Sequence, residues 1–372
     1  MKKLLLVLLV LCVAGSLFAR GGGQAATGPA MIGLAMPETH VERWVQDGNS
    51  LRDEAVGRGY RAEVQWADAN QAIQNQQIQS FLTQGARALV IGNLNEGVVP
   101  VVAEAKREGV VIVAYDRIIQ NTTDYDYYIT FNNFKVGQLQ GQSIADALNL
   151  AAATSANPMH ITLFAGSPTD SNANFFFDGA MSILNPHIDR GALRVVGPYP
   201  RTHADSANFQ RIATENWMAP IARARMDNLL TGEAANVVLD AVLAPNDTLA
   251  RAIVEALRAD ARYQARLPVI SGQDAEFDSI LFIRDGLQTS TVFKDTAKLA
   301  EAAILLIDQI MRGQTVNIPG AELAVGDLRE IGNTGTGYVP TLLLDPILVT
   351  RDNIRVPVDA GFYTDAQAAQ LR

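Results

Sequence analysis

Residues 88–117 read ALVIGNLNEGVVPVVAEAKREGVVIVAYDR and contain one complete repeat of strand, helix and strand. Residues 88–91 and 110–114 are continuous apolar runs, which are typical of strands buried on both faces. The pattern of residues 97–106 favours a helix between them. Two buried strands on either side of a helix predict parallel pairing, so this stretch indicates a doubly wound α/β fold.

The same alternation extends over the rest of the chain in two series, the first of which ends near Asn132. The apolar patterns predict strands at 30–36, 62–66, 88–91, 110–114, 127–131, 160–164, 237–243, 268–271, 289–293 and 341–349, and helices at 41–56, 70–82, 97–106, 137–148, 174–184, 217–230, 249–259 and 296–311. No low-complexity segment separates the two series. Two α/β lobes without a floppy linker indicate a hinge between them.

Composition excludes several classes of function. A chain of 372 residues is long enough for two domains, and its net charge of -9 argues against binding a nucleic-acid backbone. Its one cysteine excludes an internal disulfide and any zinc site that needs two thiolates. The scattered histidines and the absence of a calcium-loop motif predict no metal, and no motif for a cofactor follows the first strand.

The N-terminus has the pattern of a secretory signal. Lys2 and Lys3 precede an apolar run at 4–13 that is too short to span a bilayer, and small residues follow it. We therefore interpret 1–25 as a signal peptide and expect export to the periplasm. Cys12 lies in the apolar run, where it is either a filler that leaves with the signal or a lipid-modified residue that tethers the protein to a membrane.

Polar side chains follow many of the predicted strands. Because ligands of open parallel sheets bind beyond the carboxyl ends of the strands, these side chains are candidate binding groups. They are Arg43, Trp44, Asp116, Arg117, the loop 167–172, Asn246, Asp247, Gln273, Asp274 and Lys294. Planar groups that make two hydrogen bonds at fixed angles suit adjacent sugar hydroxyls, and tryptophan suits the apolar face of a sugar ring. Singly, Asp170, Ser171, Asp247 and Asp274 could instead be helix caps.

The motifs at these positions resemble a known family. They are Glu42-Arg43-Trp44, AYDR at 114–117, GSPTD at 166–170, DGAM at 178–181, SGQDA at 271–275 and VFK at 292–294. In this order they resemble the periplasmic monosaccharide-binding proteins of sugar ABC transporters, especially the xylose-binding and multiple-sugar-binding branch. The resemblance covers nearly all of the chain from Ile32 onward.

The resemblance implies a type I periplasmic binding protein fold, in which two Rossmann-like lobes are joined by three crossings of the chain. It assigns 29–133 and 295–337 to the N-terminal lobe, and 134–294 and 338–372 to the C-terminal lobe. A single aldopyranose, such as xylose, glucose, galactose or arabinose, is expected between them. The implied hydrogen-bonding residues are Arg43, Asp116, Arg117, Asn172, Asn246, Asp274 and Lys294, and the implied apolar walls are Trp44 and Trp217. Ser171 and the aromatic run 175–177 depart from the xylose-binding pattern and argue against strict xylose specificity.

The resemblance further implies a monomeric receptor that delivers its sugar to an ABC permease of the inner membrane. An alternative is a sugar sensor that acts mainly through a chemoreceptor or a sensor kinase. A sugar-processing enzyme would need a general acid and base, whereas Arg117 and Lys294 beside the candidate carboxylates favour ionised hydrogen-bonding roles. A regulator of this fold would carry a basic DNA-binding segment where this chain has its signal.

Overall fold

The computed structural model describes residues 28–371. Its strands are β1 (Met31–Met36), β2 (Arg61–Trp66), β3 (Ala86–Ile91), β4 (Val111–Tyr115), β5 (Tyr127–Phe131), β6 (Met159–Leu163), β7 (Leu193–Val195), β8 (Ala241–Leu243), β9 (Val269–Ile270), β10 (Ser290–Phe293), β11 (Ala321–Leu323), β12 (Thr341–Leu344) and β13 (Ile347–Thr350). Its helices are α1 (Arg43–Gly57), α2 (Gln71–Thr83), α3 (Val99–Arg107), α4 (Asn133–Ala147), α5 (Ser171–Asp189), α6 (Ser206–Ile212), α7 (Ala219–Thr231), α8 (Asp247–Ala259), α9 (Phe277–Arg284), α10 (Thr296–Met311), α11 (Val356–Asp359) and α12 (Asp365–Ala369). The signal peptide predicted at 1–25, including Cys12, lies outside the described residues.

The first lobe is built on a seven-stranded sheet in the order β11-β12-β5-β4-β3-β1-β2. All neighbouring strands are parallel except the short edge strand β11, which is antiparallel to β12. Helix α10 packs against α1 on this sheet. Strands β1, β3 and β4 are almost wholly buried, as their continuous apolar runs predict.

The second lobe is built on a four-stranded parallel sheet in the order β7-β6-β8-β9 and on an antiparallel pair, β10 and β13. Strand β10 continues beside β9, because Val292 N donates to the Gly272 carbonyl at 3.1 Å and Asp274 N donates to the Val292 carbonyl at 2.9 Å. This continuation places the residues that follow β9 next to the end of β10.

The chain changes lobes after β5, between β10 and α10, and between β12 and β13. The last change corrects a sequence prediction. Residues 341–349 were predicted to form one strand, and 338–372 were assigned to the C-terminal lobe. Pro346 interrupts this run, because proline has no N–H for a sheet ladder. The chain before it, β12, pairs with β5 in the first sheet, and the chain after it, β13, pairs with β10 in the second lobe.

Two glycines allow α4 and α5 to approach closely in the second lobe. A Cβ atom on Gly137 would lie 1.9 Å from the carbonyl oxygen of Phe176, and one on Gly179 would lie 2.1 Å from that of Phe134. Both atoms met are backbone atoms of a helix, which cannot move aside alone. The contact fixes α5, whose first turn leads into the cleft described below.

Replacing Gly137 with alanine tests this helix contact. We expect the free energy of unfolding to fall by about 1–3 kcal/mol, because the helices must separate to admit the methyl group. Gly57→Ala is the matched control, since a Cβ atom at Gly57 meets nothing within 4 Å. The control should keep or slightly raise stability, because alanine favours a helix more than glycine does. Equal unfolding curves for the two variants would contradict the close contact.

Candidate functional site

The structure brings all nine residues implied by the resemblance into one cleft between the lobes, whereas the candidate Asp247 does not line it. The lining of the cleft consists of Val41, Arg43, Trp44, Asp116, Arg117, Asp170, Asn172, Phe176, Trp217, Asn246, Gln273, Asp274 and Lys294. Residues remote in sequence therefore form one polar and aromatic chamber.

Strand ends explain this convergence. Asp116 and Arg117 follow β4, and Arg43 and Trp44 begin α1 after β1 in the same sheet. In the second lobe, the lining residues from 170 to 176, 246, 273–274 and 294 follow β6, β8, β9 and β10. The carboxyl ends of parallel strands lie along one edge of a sheet, and here those edges of the two lobes face each other.

Arg43 is the most highly connected cation of the cleft. Its Nη1 atom donates to Asp116 Oδ1 at 2.8 Å, and its Nε and Nη2 atoms donate to Asp47 Oδ2 at 3.1 and 2.6 Å. The same Nη1 atom lies 3.9 Å from Asp274 Oδ1, on the second lobe. Arg43 therefore has carboxylates of both lobes around it.

The other two cations of the cleft are also paired. Arg117 Nη2 donates to Glu38 Oε1 at 2.9 Å, and Arg117 Nε lies 3.0 Å from Asp170 Oδ2 on the second lobe. Lys294 Nζ lies 2.9 Å from Asp274 Oδ1. Each positive charge in the cleft lining thus has a buried carboxylate within ion-pair distance.

These neighbours set the ionisation of the carboxyl groups. Burial opposes the ionisation of Asp116, yet the charges of Arg43 and Lys294 hold the pKa of its carboxyl below the usual range. Burial raises the pKa of Asp170, and Arg117 offsets only part of that effect. Asp116 is therefore an ionised acceptor throughout the neutral range.

Three lining residues have a left-handed backbone conformation. The φ angles are 60° at Asp116, 94° at Asp274 and 55° at Trp217, although none of them is glycine. Such conformations cost on the order of 1–3 kcal/mol each, and they persist where surrounding contacts enforce them. At Asp116 the enforcing contacts are visible: its carbonyl oxygen accepts from Tyr128 Oη at 2.7 Å, Thr130 Oγ1 at 3.0 Å and Asn172 Nδ2 at 2.7 Å.

Aromatic rings form the apolar part of the chamber. The Trp44 ring lies under two guanidinium groups, with Arg43 Cζ 4.8 Å and Arg117 Cζ 5.0 Å from a ring centroid. Trp217 meets Phe176 edge to face, with 6.5 Å between centroids. Trp217 Nε1 also donates to Asp170 Oδ2 at 3.2 Å, which fixes the plane of its ring.

Comparison with known proteins places the chain in a family. Residues 32–315 match the family described as periplasmic binding protein domain. The chain belongs to the periplasmic binding protein family. This membership confirms the family predicted from the motifs, and it agrees with the prediction that the chain is a binding protein and not an enzyme.

Individual relatives of this periplasmic binding protein match over most of its length. The multiple sugar-binding periplasmic protein SbpA of Azospirillum brasilense is 38% identical over 340 residues, or 90% of each chain. The multiple sugar-binding periplasmic receptor ChvE of Rhizobium radiobacter is 37% identical over 345 residues, or 92% of each chain. A solved ABC transporter solute binding protein from Clostridium phytofermentans, with bound β-D-glucose, is 33% identical. It superposes with a TM-score of 0.80 over 92% of this chain and 100% of its own, which confirms the predicted type I fold.

The cap residues of this periplasmic binding protein differ in part from expectation. Asp247 was considered as an N-cap, but the cap of α8 is Asn246, whose side-chain oxygen accepts from Leu249 N at 3.0 Å. Asp247 lies in the first turn, buried, where Gln288 and Thr291 hydrogen-bond its carboxyl group. The expectation for Asp170 is confirmed, since it caps α5 through Asn172 N at 3.0 Å.

Four lining residues lie outside the set implied by the resemblance. Asp170 and Gln273 are candidates by their position after predicted strands, and Phe176 lies in the aromatic run 175–177. Val41 has no polar group by which to recognise it. Trp217 lies in a single helical turn, Glu215–Trp217, that precedes α7 and is separate from it, contrary to the predicted helix start.

Within residues 28–371, no three His, Cys, Asp or Glu side chains are grouped so that they could hold a metal ion. None of the helices described there combines the length and the hydropathy needed to cross a membrane.

The backbone at Gly166 determines where the Trp217 wall lies. A Cβ atom on Gly166 would lie 2.0 Å from Trp217 Cη2. Gly166→Ala should therefore displace the ring, lower the free energy of unfolding by about 1–3 kcal/mol and shift the Trp217 indole N–H resonance, because the bond to Asp170 changes. The chain has three tryptophans, so the indole signals can be resolved by NMR. Gly57→Ala serves as the control, and an unchanged Trp217 signal in Gly166→Ala would contradict the contact.

Proposed function

We propose that this protein is an extracytoplasmic receptor that captures one monosaccharide between its two lobes and delivers it to an ABC permease. The observation that carries the proposal is the cleft itself, in which paired cations and carboxylates stand beside two tryptophans at the facing strand ends of two lobes. The predicted signal at 1–25 supports export to the periplasm. The proposal agrees with relatives whose names record sugar binding.

The charges of the cleft favour a neutral ligand with many hydroxyl groups. Arg43, Arg117 and Lys294 are each paired with a carboxylate, so no cation is left to neutralise an anionic ligand. A buried acceptor, Gln273 Oε1, nevertheless remains without a hydrogen-bond partner. A hydroxyl group can donate to such an acceptor while it accepts from a neighbouring N–H, which a fully deprotonated phosphate cannot do.

The aromatic walls of the cleft favour a pyranose ring. The rings of Trp44 and Trp217 supply flat apolar surfaces for the C–H faces of a sugar. Among similar solved structures, the one from Clostridium phytofermentans holds β-D-glucose. We infer an aldopyranose such as glucose, galactose, xylose or arabinose.

Capture involves hinge motion at the three crossings of the chain. We place the first lobe at 28–132 and 295–345, and the second at 133–294 and 347–371, in agreement with the sheets to which the strands belong. Ligand groups of both lobes meet only when the lobes close, so the sugar shifts a pre-existing equilibrium toward the closed form. The permease then distinguishes the closed form from the open one.

Calorimetry with candidate sugars tests the function directly. We expect at least one of glucose, galactose, xylose and arabinose to bind with a dissociation constant near the micromolar range, or about -8 kcal/mol. The expected enthalpy is favourable, because several charged groups hydrogen-bond to the sugar. A lack of heat with all four sugars at millimolar concentration would refute the proposal.

Removing one carboxylate charge from the cleft should weaken binding. In Asp274→Asn we expect a loss of about 10-fold to 150-fold in affinity, because a hydrogen bond to a charged group contributes about 1.5–3 kcal/mol. Asp189→Asn is the matched control, since Asp189 pairs with Arg201 on the exposed surface. Calorimetry of both variants with the best sugar measures the difference, and equal affinities would exclude Asp274 from the ligand contacts.

The charge argument also predicts discrimination against anionic sugars. Glucose 6-phosphate should not bind even at a concentration about 100 times the dissociation constant for glucose. The reason is that every cation of the cleft is already paired and the surrounding carboxylates repel the phosphate. Competition against bound glucose, followed by tryptophan fluorescence, measures this. Displacement by the phosphate at glucose-like concentrations would show that a cation of the cleft is available.

A further inference from the structure

Asp47 is a buried carboxyl group that lies behind the cleft and does not line it. It has no exposed surface, and it follows Arg43 by one turn of α1. Both of its hydrogen bonds in the structure come from Arg43, at 3.1 Å from Nε and 2.6 Å from Nη2, and both reach the same oxygen, Oδ2. The group therefore contacts a lining residue without contacting the ligand space.

These bonds decide which way the guanidinium faces. Arginine has five N–H donors in a rigid plane. Asp47 takes the Nε hydrogen and one on Nη2, and Asp116 takes one on Nη1 at 2.8 Å. One hydrogen on each terminal nitrogen remains, so the outer edge of the plane is left for a ligand. With Asp47 neutral, its bonds to Arg43 lose their charge assistance, so the plane is held mainly by Asp116 and can rotate more freely about that bond.

Two hydroxyl groups, Tyr115 Oη and Thr296 Oγ1, lie beside the other oxygen of Asp47, Oδ1, and are neutral groups that can donate to it. The charged partner of Asp47 is Arg43, which donates to Oδ2. The carboxylate therefore acts mainly on the orientation of that guanidinium group.

We propose that Asp47 is a positioning residue that fixes the guanidinium of Arg43 so that its outer N–H edge faces the ligand. The inference deepens the proposed function and rests on it for the affinity readout. Asp47 lies on α1, and the groups that face it are Arg43 from the same helix, Tyr115 and Asp116 from the end of β4, and Thr296 from the start of α10.

The ionisation of Asp47 gives the proposal a signature that a structural role lacks. Burial raises the pKa of Asp47 to about 6, although Arg43 acts in the opposite direction. The carboxyl group is therefore charged above about pH 6 and neutral below it. Positioning of Arg43, and with it sugar affinity, should decline as the pH falls through this range.

Asp47→Asn tests the positioning role, because it removes the charge of the side chain and retains its shape. At about pH 7.5 we expect sugar affinity to fall by about 10-fold or more, because the charge-assisted bonds to Arg43 are lost. The thermal midpoint should stay within a few degrees, because Arg43 keeps Asp116. Asp308→Asn is the matched control, since Asp308 pairs with Arg312 at the same helical spacing on α10 and does not line the cleft. It should leave affinity unchanged.

The pH profile separates positioning from packing. From about pH 8 to about pH 5, wild-type and Asp308→Asn should lose affinity in a step near pH 6, and Asp47→Asn should lack that step. Wild-type affinity in Asp47→Asn, or the same step in all three proteins, would overturn the proposal.

A measurement without sugar distinguishes failure of this inference from failure of the proposed function. The Nε–H resonance of Arg43, followed by ¹⁵N NMR in the wild-type protein, should be protected from exchange at about pH 7.5 and lose protection below about pH 6. In Asp47→Asn it should be less protected at about pH 7.5 and should not change between the two pH values, because an amide accepts more weakly and does not titrate. If no sugar binds but this pattern is found, the positioning role of Asp47 is supported and the proposed sugar-receptor function is refuted. If protection of the Arg43 Nε–H changes neither with pH nor with the substitution, the positioning role is refuted.

Discussion

Burial of positive charge where the two lobes meet is the constraint on which the structure depends. Arg43, Arg117 and Lys294 are at most 7% exposed, and an unpaired charge so placed costs several kcal/mol. Each has a carboxylate of its own lobe within ion-pair distance, and Asp274 and Asp170 of the second lobe add contacts to Arg43 and Arg117 of the first. These added contacts form only when the lobes approach, so the buried charges also define the closed arrangement.

Backbone strain at the same place has a related cause. Asp116 and Asp274 must turn their carboxyl groups from a strand end into the cleft, and a left-handed conformation achieves this within one residue. The free-energy cost of this conformation is offset where hydrogen bonds hold the backbone in place. Tyr128, Thr130 and Asn172 hold the Asp116 carbonyl oxygen from three directions, and Asn172 does so from the opposite lobe. Strain, pairing and closure are therefore coupled at one point of the chain.

Much of the site could be predicted from the sequence, because a simple geometric rule connects strand ends to the cleft. Apolar runs mark buried parallel strands, and polar residues just beyond them meet at one edge. The rule fails for side chains that do not directly follow a strand. Asp47 lies a helical turn inside α1, and Trp217 precedes α7 in a turn of its own. The run 341–349 also misled prediction, because one proline divides it between two lobes and apolar periodicity does not show the division.

The sequence by itself determined the α/β class, the two series of strands and the kind of side chain found at each strand end. These properties depend on local pattern, which is present in any short window of the chain. Only the tertiary structure decided which carboxylate neutralises which cation, as between Arg43 and Asp116, which are 73 residues apart. It also decided that β12 returns to the first sheet and that the buried Asp47 accepts hydrogen bonds from Arg43. The reason is physical: these pairings depend on distances across a fold, and those distances exist only once both lobes have packed.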